Sequence, residues 1–244
     1  MEEGDGMELK LESNQPATKQ EDFAYVKRYY EIIDGLMQFY AAGPFADEAV
    51  AAKLEFFELA GIFDEQSPSF DMRMAQFTDW YLFSRPLTSS GLVPIAHHLV
   101  NRPARVSESD LPYLKNMSLN RLSLFEFIKI KNQDVYVKDL FSKYKLVIKN
   151  SPVTYGFTPE EYFQARLIPH QDSFLFSIAF CFHPPEATKF INAQVKLVNK
   201  LPDEQQKEAR ERLVLRLFRM RNKFEQYRHV GIKEIYSNES RLRV

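Results

Sequence analysis

The chain has 244 residues, a formal net charge of −1, 45% apolar and 27% charged residues and eight glycines, the make-up of a globular, core-forming protein rather than a collagen-like or low-complexity one. No apolar run approaches the roughly 18 residues that a membrane-spanning helix requires, so no membrane span is expected. A single cysteine, Cys181, excludes an intramolecular disulfide and a cysteine-rich zinc site and fits a reducing, cytoplasmic compartment.

Residues 1–20 are acidic and polar, without the basic and apolar stretches of a secretion signal, and are expected to be a disordered tail. From residue 23 the pattern becomes helical. Phe23, Val26, Tyr30, Ile33, Met37 and Tyr40 recur at three- and four-residue steps beside a second row, Tyr25, Tyr29, Ile32, Leu36 and Phe39. Two adjacent rows make a wide stripe, so this helix meets more than one neighbour; Gly43-Pro44 ends it. A second helix runs from Asp47 through Val50, Leu54, Phe57 and Leu59 to Gly61, and a third opens at Ser69 or Asp71 and carries Met74, Phe77, Trp80, Tyr81 and Phe83 before Arg85-Pro86 closes it. Two shorter helices are expected over 93–101 and 109–117.

Then the period changes. Short runs rich in aromatic and β-branched residues, 124–130, 135–137, 144–148, 162–168 and 173–182, are separated by polar turn residues, with 132–134 as a hairpin tip. Five such strands suit a small antiparallel barrel or curled sheet. Helical spacing returns with Ala187, Ile191, Val195 and Val198, and a last long helix runs from Asp203 to about Arg228. The expected fold class is α+β: a helical segment 21–118, the small sheet 119–183, C-terminal helices 184–230 and a flexible tail 231–244.

The near-neutral total is a cancellation. Residues 1–65 hold fifteen acidic and five basic side chains, whereas 203–244 hold seven acidic and eleven basic. The aromatic excess, 14% of residues, falls in the helical stripes of the first third and in the strands.

Over about 77–185 the chain resembles an uncharacterised bacterial family, some members of which carry a zinc-binding SEC-C motif elsewhere. The resemblance rests on Phe77-Thr78-Asp79-Trp80-Tyr81-Leu82-Phe83-Ser84-Arg85, Ser123-Leu124-Phe125-Glu126, Val137-Lys138-Asp139-Leu140 and Ala165-Arg166-Leu167-Ile168-Pro169. It implies no known activity. With one cysteine this chain has no SEC-C motif, so zinc is not implied.

No phosphate-cradling glycine loop, zincin helix or nucleophile elbow is present, and no cofactor or metal is expected. The adjacent His97 and His98 point about 100° apart on a helix and cannot share one ion. Cys181 stands among bulky apolar neighbours, which makes a thiol inert. Asp79, Arg85, Asp139 and Arg166 lie in apolar surroundings, where charges must be paired; they are a candidate buried polar cluster, read first as salt bridges tying the third helix to the barrel. On the last helix, Leu213, Leu217, Met220, Phe224 and Tyr227 form one stripe, Arg212, Arg216, Arg219 and Lys223 flank it, and Val214, Leu215 and Phe218 form a second apolar patch behind. Such a helix is either sandwiched between two elements or meets a partner. Arg212, Leu215, Arg216, Phe218, Arg219 and Lys223 are therefore the candidate partner-binding residues of a non-catalytic interaction or adaptor module, the partner being a protein or a second copy of the chain as a homodimer. The alternative is single-stranded nucleic acid bound by the barrel through Lys129, Lys131, Lys138, Lys143, Lys145 and Lys149 with Tyr136, Tyr144 and Phe174 as stacking platforms. An enzyme of unrecognised type is the third possibility.

Overall fold

The computed structural model describes residues 23–238, apart from 62–64, 68, 102–106 and 160. The tail expected over 1–20 and residues 239–244 lie outside the described residues.

The helices form where the spacing places them. Helix α1 (Ala24–Tyr40) buries Val26, Tyr29, Ile33, Leu36 and Tyr40, a seam drawn from both predicted rows. Gly43, at φ 54°, and Pro44 turn the chain through a short 3-10 turn straight into α2 (Ala46–Ala60). Gly61, at φ 90°, ends α2 and donates its N–H to the Phe57 carbonyl at 2.9 Å. Helix α2 packs by Ala52, Phe56 and Ala60, so Val50, Leu54 and Leu59 face solvent. Helix α3 (Phe70–Phe83) is enclosed, with Arg73, Gln76 and Asp79 buried beside Phe77, Trp80, Tyr81, Leu82 and Phe83. Helices α4 (Pro94–Asn101) and α5 (Leu111–Ser118) complete the N-terminal layer.

The sheet is antiparallel and curled. Its strands are β1 (Arg121–Lys131), β2 (Asp134–Asp139), β3 (Lys145–Ile148), β4 (Tyr162–His170), β5 (Ser173–Phe176) and β6 (Cys181–His183), in the order β3-β2-β1-β4-β5, with β6 also paired to β4. The fifth predicted strand thus divides in two at 177–180. The β1–β2 hairpin turns on Asn132 and Gln133, at φ 51° and 69°, the left-handed pair that matches strand twist. Alternation sorts the side chains: Phe125, Val135, Val137, Ile148, Phe163, Ala165, Leu167 and Phe176 fill the inside of the curl, with Phe127, Phe157, Phe180 and Phe182 packed on them. The outer face of β4 carries Gln164, Arg166 and Ile168, and there the helices cover the sheet. The two sheet edges approach each other where the Ser173 hydroxyl accepts the Lys149 N–H at 2.8 Å and donates to the Val147 carbonyl at 3.2 Å.

Helices α6 (Thr188–Val198), α7 (Asp203–Gln226) and α8 (Ile232–Ile235) follow. The flexible tail expected from residue 231 is corrected here: Ile235 and Tyr236 are buried in the same cluster as Leu124, Ile191 and Leu217, and the Tyr236 hydroxyl pairs with His183 Nδ1 at 3.0 Å.

Candidate functional site

The charged motif residues resolve into three separate pairings. Arg166 on β4 reaches α3, where its Nε donates to Asp79 Oδ1 at 2.7 Å; its other nitrogens donate to Ser84 Oγ at 2.9 Å and to Asn120 Oδ1, and the guanidinium lies over the Phe83 ring. Both partners of this bridge are buried, so each satisfies a charge that would otherwise be costly. Arg85 goes elsewhere: it pairs with Glu48 at 2.5 Å and Glu55 at 2.7 Å on α2 and so joins two helices rather than helix to sheet. Asp139 closes one end of the curl. It accepts the backbone N–H groups of Phe141 at 2.9 Å and Ser142 at 2.8 Å and a bond from Arg121. Burial alone would raise its pKa, but the Ser142 N–H and the Arg121 guanidinium outweigh it and hold the carboxyl below its ordinary range.

Around Asp79 is a small crevice of about 30 Å³, lined also by Gln76, Gln164, Trp80, Leu215 and Phe218. The bridge of the first predicted group and the apolar patch of the second therefore meet. Asp79 Oδ2 and the side-chain oxygens of Gln76 and Gln164 have no hydrogen-bond partner there. A space of this size suits about one water molecule.

The last helix is sandwiched. Leu213, Val214, Leu217 and Met220 belong to the cluster formed with α6 and α8, whereas Phe218, only 3% exposed, packs into the N-terminal core with its ring 5.8 Å from that of Phe56. Asn222 donates to the Ala60 carbonyl at 2.7 Å, tying α7 to the end of α2. Arg216 lies over the Phe190 ring and bonds Asn238, and Lys223 is buried. Of the six candidate partner-binding residues, Arg212 is fully exposed, while Leu215, Arg216 and Arg219 are half-buried. Of the second apolar patch, Leu215 and Phe218 pack on the N-terminal core and Val214 joins the α6–α8 cluster, so within this fold the patch is covered by the chain itself, the other case that a two-sided helix allows.

What stays open is the outer face of the sheet over β2, β3 and the end of β1. Lys129, Lys131, Lys143, Lys145 and Tyr144 are exposed, and Tyr136 and Lys138 are half-buried. The register places Lys138 directly opposite Lys145 and Lys129 opposite Tyr136, with the Lys129 ammonium 5.0 Å from the Tyr136 ring centre. Glu126 takes Lys138 at 3.0 Å, and Asp172 takes Lys149. Phe174 is not part of this surface; it packs on the inner phenylalanine cluster.

The match that decides the family covers residues 46–236, from α2 to the residue after α8. The chain belongs to DUF7986, a family of unknown function. No curated protein and no solved structure matches it. The DUF7986 span holds the Asp79–Arg166 bridge and the lysine-bearing strands alike. The resemblance to an uncharacterised family stands at that level; neither a SEC-C motif nor a bacterial source comes with the DUF7986 match. Among the described residues no helix is long and apolar enough to cross a membrane, and no three His, Cys, Asp or Glu side chains are grouped to hold a metal ion.

Sequence reasoning missed a further network. The Arg73 guanidinium, buried in α3, bonds Glu225 at 2.5 Å and Ser69 at 3.1 Å, and Arg221 holds the other Glu225 oxygen at 3.0 Å. The sequence carried no local signal for it: Asp71 already supplies the acidic residue of that first turn, and Arg73 near it reads as a solvated side chain.

Proposed function

We propose that this protein is a non-catalytic binding module whose working surface is the lysine-bearing outer face of β1–β3, and that single-stranded nucleic acid is the ligand it fits. The observation that carries this reading is the juxtaposition of Lys138 and Lys145 across two strands. Like charges directly opposite are destabilising; Glu126 offsets Lys138, and Lys145 stands exposed across from it on a face that also carries Lys129, Lys131 and two tyrosines. A row of ammonium groups follows a phosphate backbone, and the exposed ring of Tyr144, with the half-buried Tyr136 near it, gives bases a stacking surface without demanding sequence. The protein-partner reading rested on α7, whose apolar side is spent inside the molecule.

The test is fluorescence anisotropy with a labelled oligo(U) of about 20 nucleotides over a salt series. Expected are binding that weakens steeply with salt and a loss of at least about tenfold in Lys129→Glu/Lys145→Glu, with an unchanged thermal melt. Binding that is absent, insensitive to salt or equal in the variant would overturn the reading.

A further inference from the structure

Helix α1, the Gly43 turn, α4 and α5 line an open groove of about 700 Å³. That volume lies within the range of small-molecule sites. Ile32, Leu36, Phe39, Pro44 and Leu114 form the apolar part of its wall, and Gln38, exposed on α1, lies on its rim.

Two polar features define what can enter. The first is His98, which lines the groove, is 9% exposed and meets the Phe39 ring edge-on at 5.6 Å. Its neighbour His97 turns away to bond the Tyr40 hydroxyl at 2.8 Å, as the 100° step between adjacent helix residues requires. His98 Nδ1 is buried with no partner. Burial, helped by His97, pushes the ring's pKa down, so the ring is neutral near pH 7. With no acceptor at Nδ1, the ring proton belongs on Nε2, which is then a hydrogen-bond donor. The second feature is the charged end of the groove. Arg28 is held by Asp110 at 2.6 Å and by Glu31 at 2.9 Å, so one cation faces two carboxylates and the end is net negative. It offers an anionic ligand nothing.

We infer that this groove is a binding site for a small, uncharged, largely apolar molecule bearing one hydrogen-bond acceptor, such as an aryl ketone, whose oxygen meets His98. The groove has a built-in means of closing it experimentally. Gly35 stands on its wall within α1, and beyond the backbone of that helix nothing lies within 4 Å of the position a Cβ would take. A larger side chain there takes up part of the groove beside His98 and replaces a poor helix former.

The probes are acetophenone, toluene and benzoate, which share a ring and differ in carrying a neutral acceptor, none, or a charge; binding is read by chemical-shift changes in the full-length protein. Acetophenone binds saturably and shifts the signals of Ile32, Phe39 and His98; toluene binds at least about tenfold more weakly, the worth of one good hydrogen bond, and benzoate does not bind. Gly35→Leu abolishes acetophenone binding while its thermal melt stays at or above that of the parent. His98→Phe binds acetophenone and toluene equally. Acetophenone binding that is absent, matched by benzoate, or retained in Gly35→Leu overturns the inference. The oligo(U) experiment is independent of all these outcomes.

Discussion

Arg166 and Lys145 project from the same outer face of one sheet, on β4 and β3, and are treated in opposite ways. Arg166 is sealed beneath α3 and bonded to Asp79, Ser84 and Asn120; Lys145 is exposed and sits across from another lysine. The difference follows from the dielectric. Where helices cover the strand, an unpaired charge costs several kcal/mol, and Arg166 is bonded through each of its three nitrogens. Where water covers it, two ammonium groups side by side cost only about 1 kcal/mol or less, and the surface is free to be selected for what it attracts.

That contrast can be broken at graded cost. The largest effect is expected for Arg166→Met, which strands Asp79 in the core: unfolding free energy in urea should fall by about 3–5 kcal/mol, and adding Asp79→Leu should restore most of it. Equal destabilisation by the single and double variants would show that packing, not charge, is the issue. Next comes acid. Burial, with a smaller push from Arg221, drives the His183 pKa down to about 3. Its unfolded value is near 6.5, so between those two pH values the unfolded chain takes up a proton that the folded chain refuses. The His183 contribution is therefore full above about pH 6.5 and declines towards pH 3, by a few kcal/mol in total, and His183→Gln should lessen the fall of the denaturation midpoint between pH 6.5 and 4.5, His98 and His170, also depressed by burial, supplying the remainder. On the same covered side the Cys181 thiol is pushed up to about 12 by burial. Iodoacetamide at pH 8 should label the folded protein at least about a hundredfold more slowly than the urea-unfolded chain; similar rates would mean that β6 opens freely. The smallest effect belongs to the open side: Lys145→Glu should change stability by no more than about 0.5 kcal/mol, in the stabilising direction, because it removes the repulsion of Lys138.

The α+β architecture was legible in the sequence because period is a local property. The double row on α1, the strand runs and the Asn132 turn all announce themselves within a dozen residues. The pairing of Arg166 with the third helix followed from chemistry alone: a charge in an apolar strand needs a partner. Its neighbour in motif, Arg85, could not be assigned in this way, because Glu48 and Glu55 on α2 looked like any solvated helical face until α2 and α3 were packed. The same limit hid the meaning of Phe218. Helical spacing showed two apolar patches on α7 but not whether α2 or another molecule covered the second. Ile235 and Tyr236 were missed because a four-residue helix carries no period, and the groove beside His98 because it is made by three helices and a turn that no short window contains. The break at 177–180 escaped for the opposite reason: Phe176, Phe180 and Phe182 maintain an unbroken strand-like composition through a backbone that departs from the ladder.

The hydroxyl of Ser173 gives the sheet a seam. Strands β3 and β5 do not exchange a regular ladder, yet one side-chain oxygen takes an amide from the first and gives a proton to its carbonyl. In effect a single atom stands in for a missing rung, so that each raw edge is turned toward the other and withheld from neighbouring molecules. Replacing it by alanine would leave the core intact and remove a side-chain fastening between the two edges of the curl, exposing both to strands from other chains.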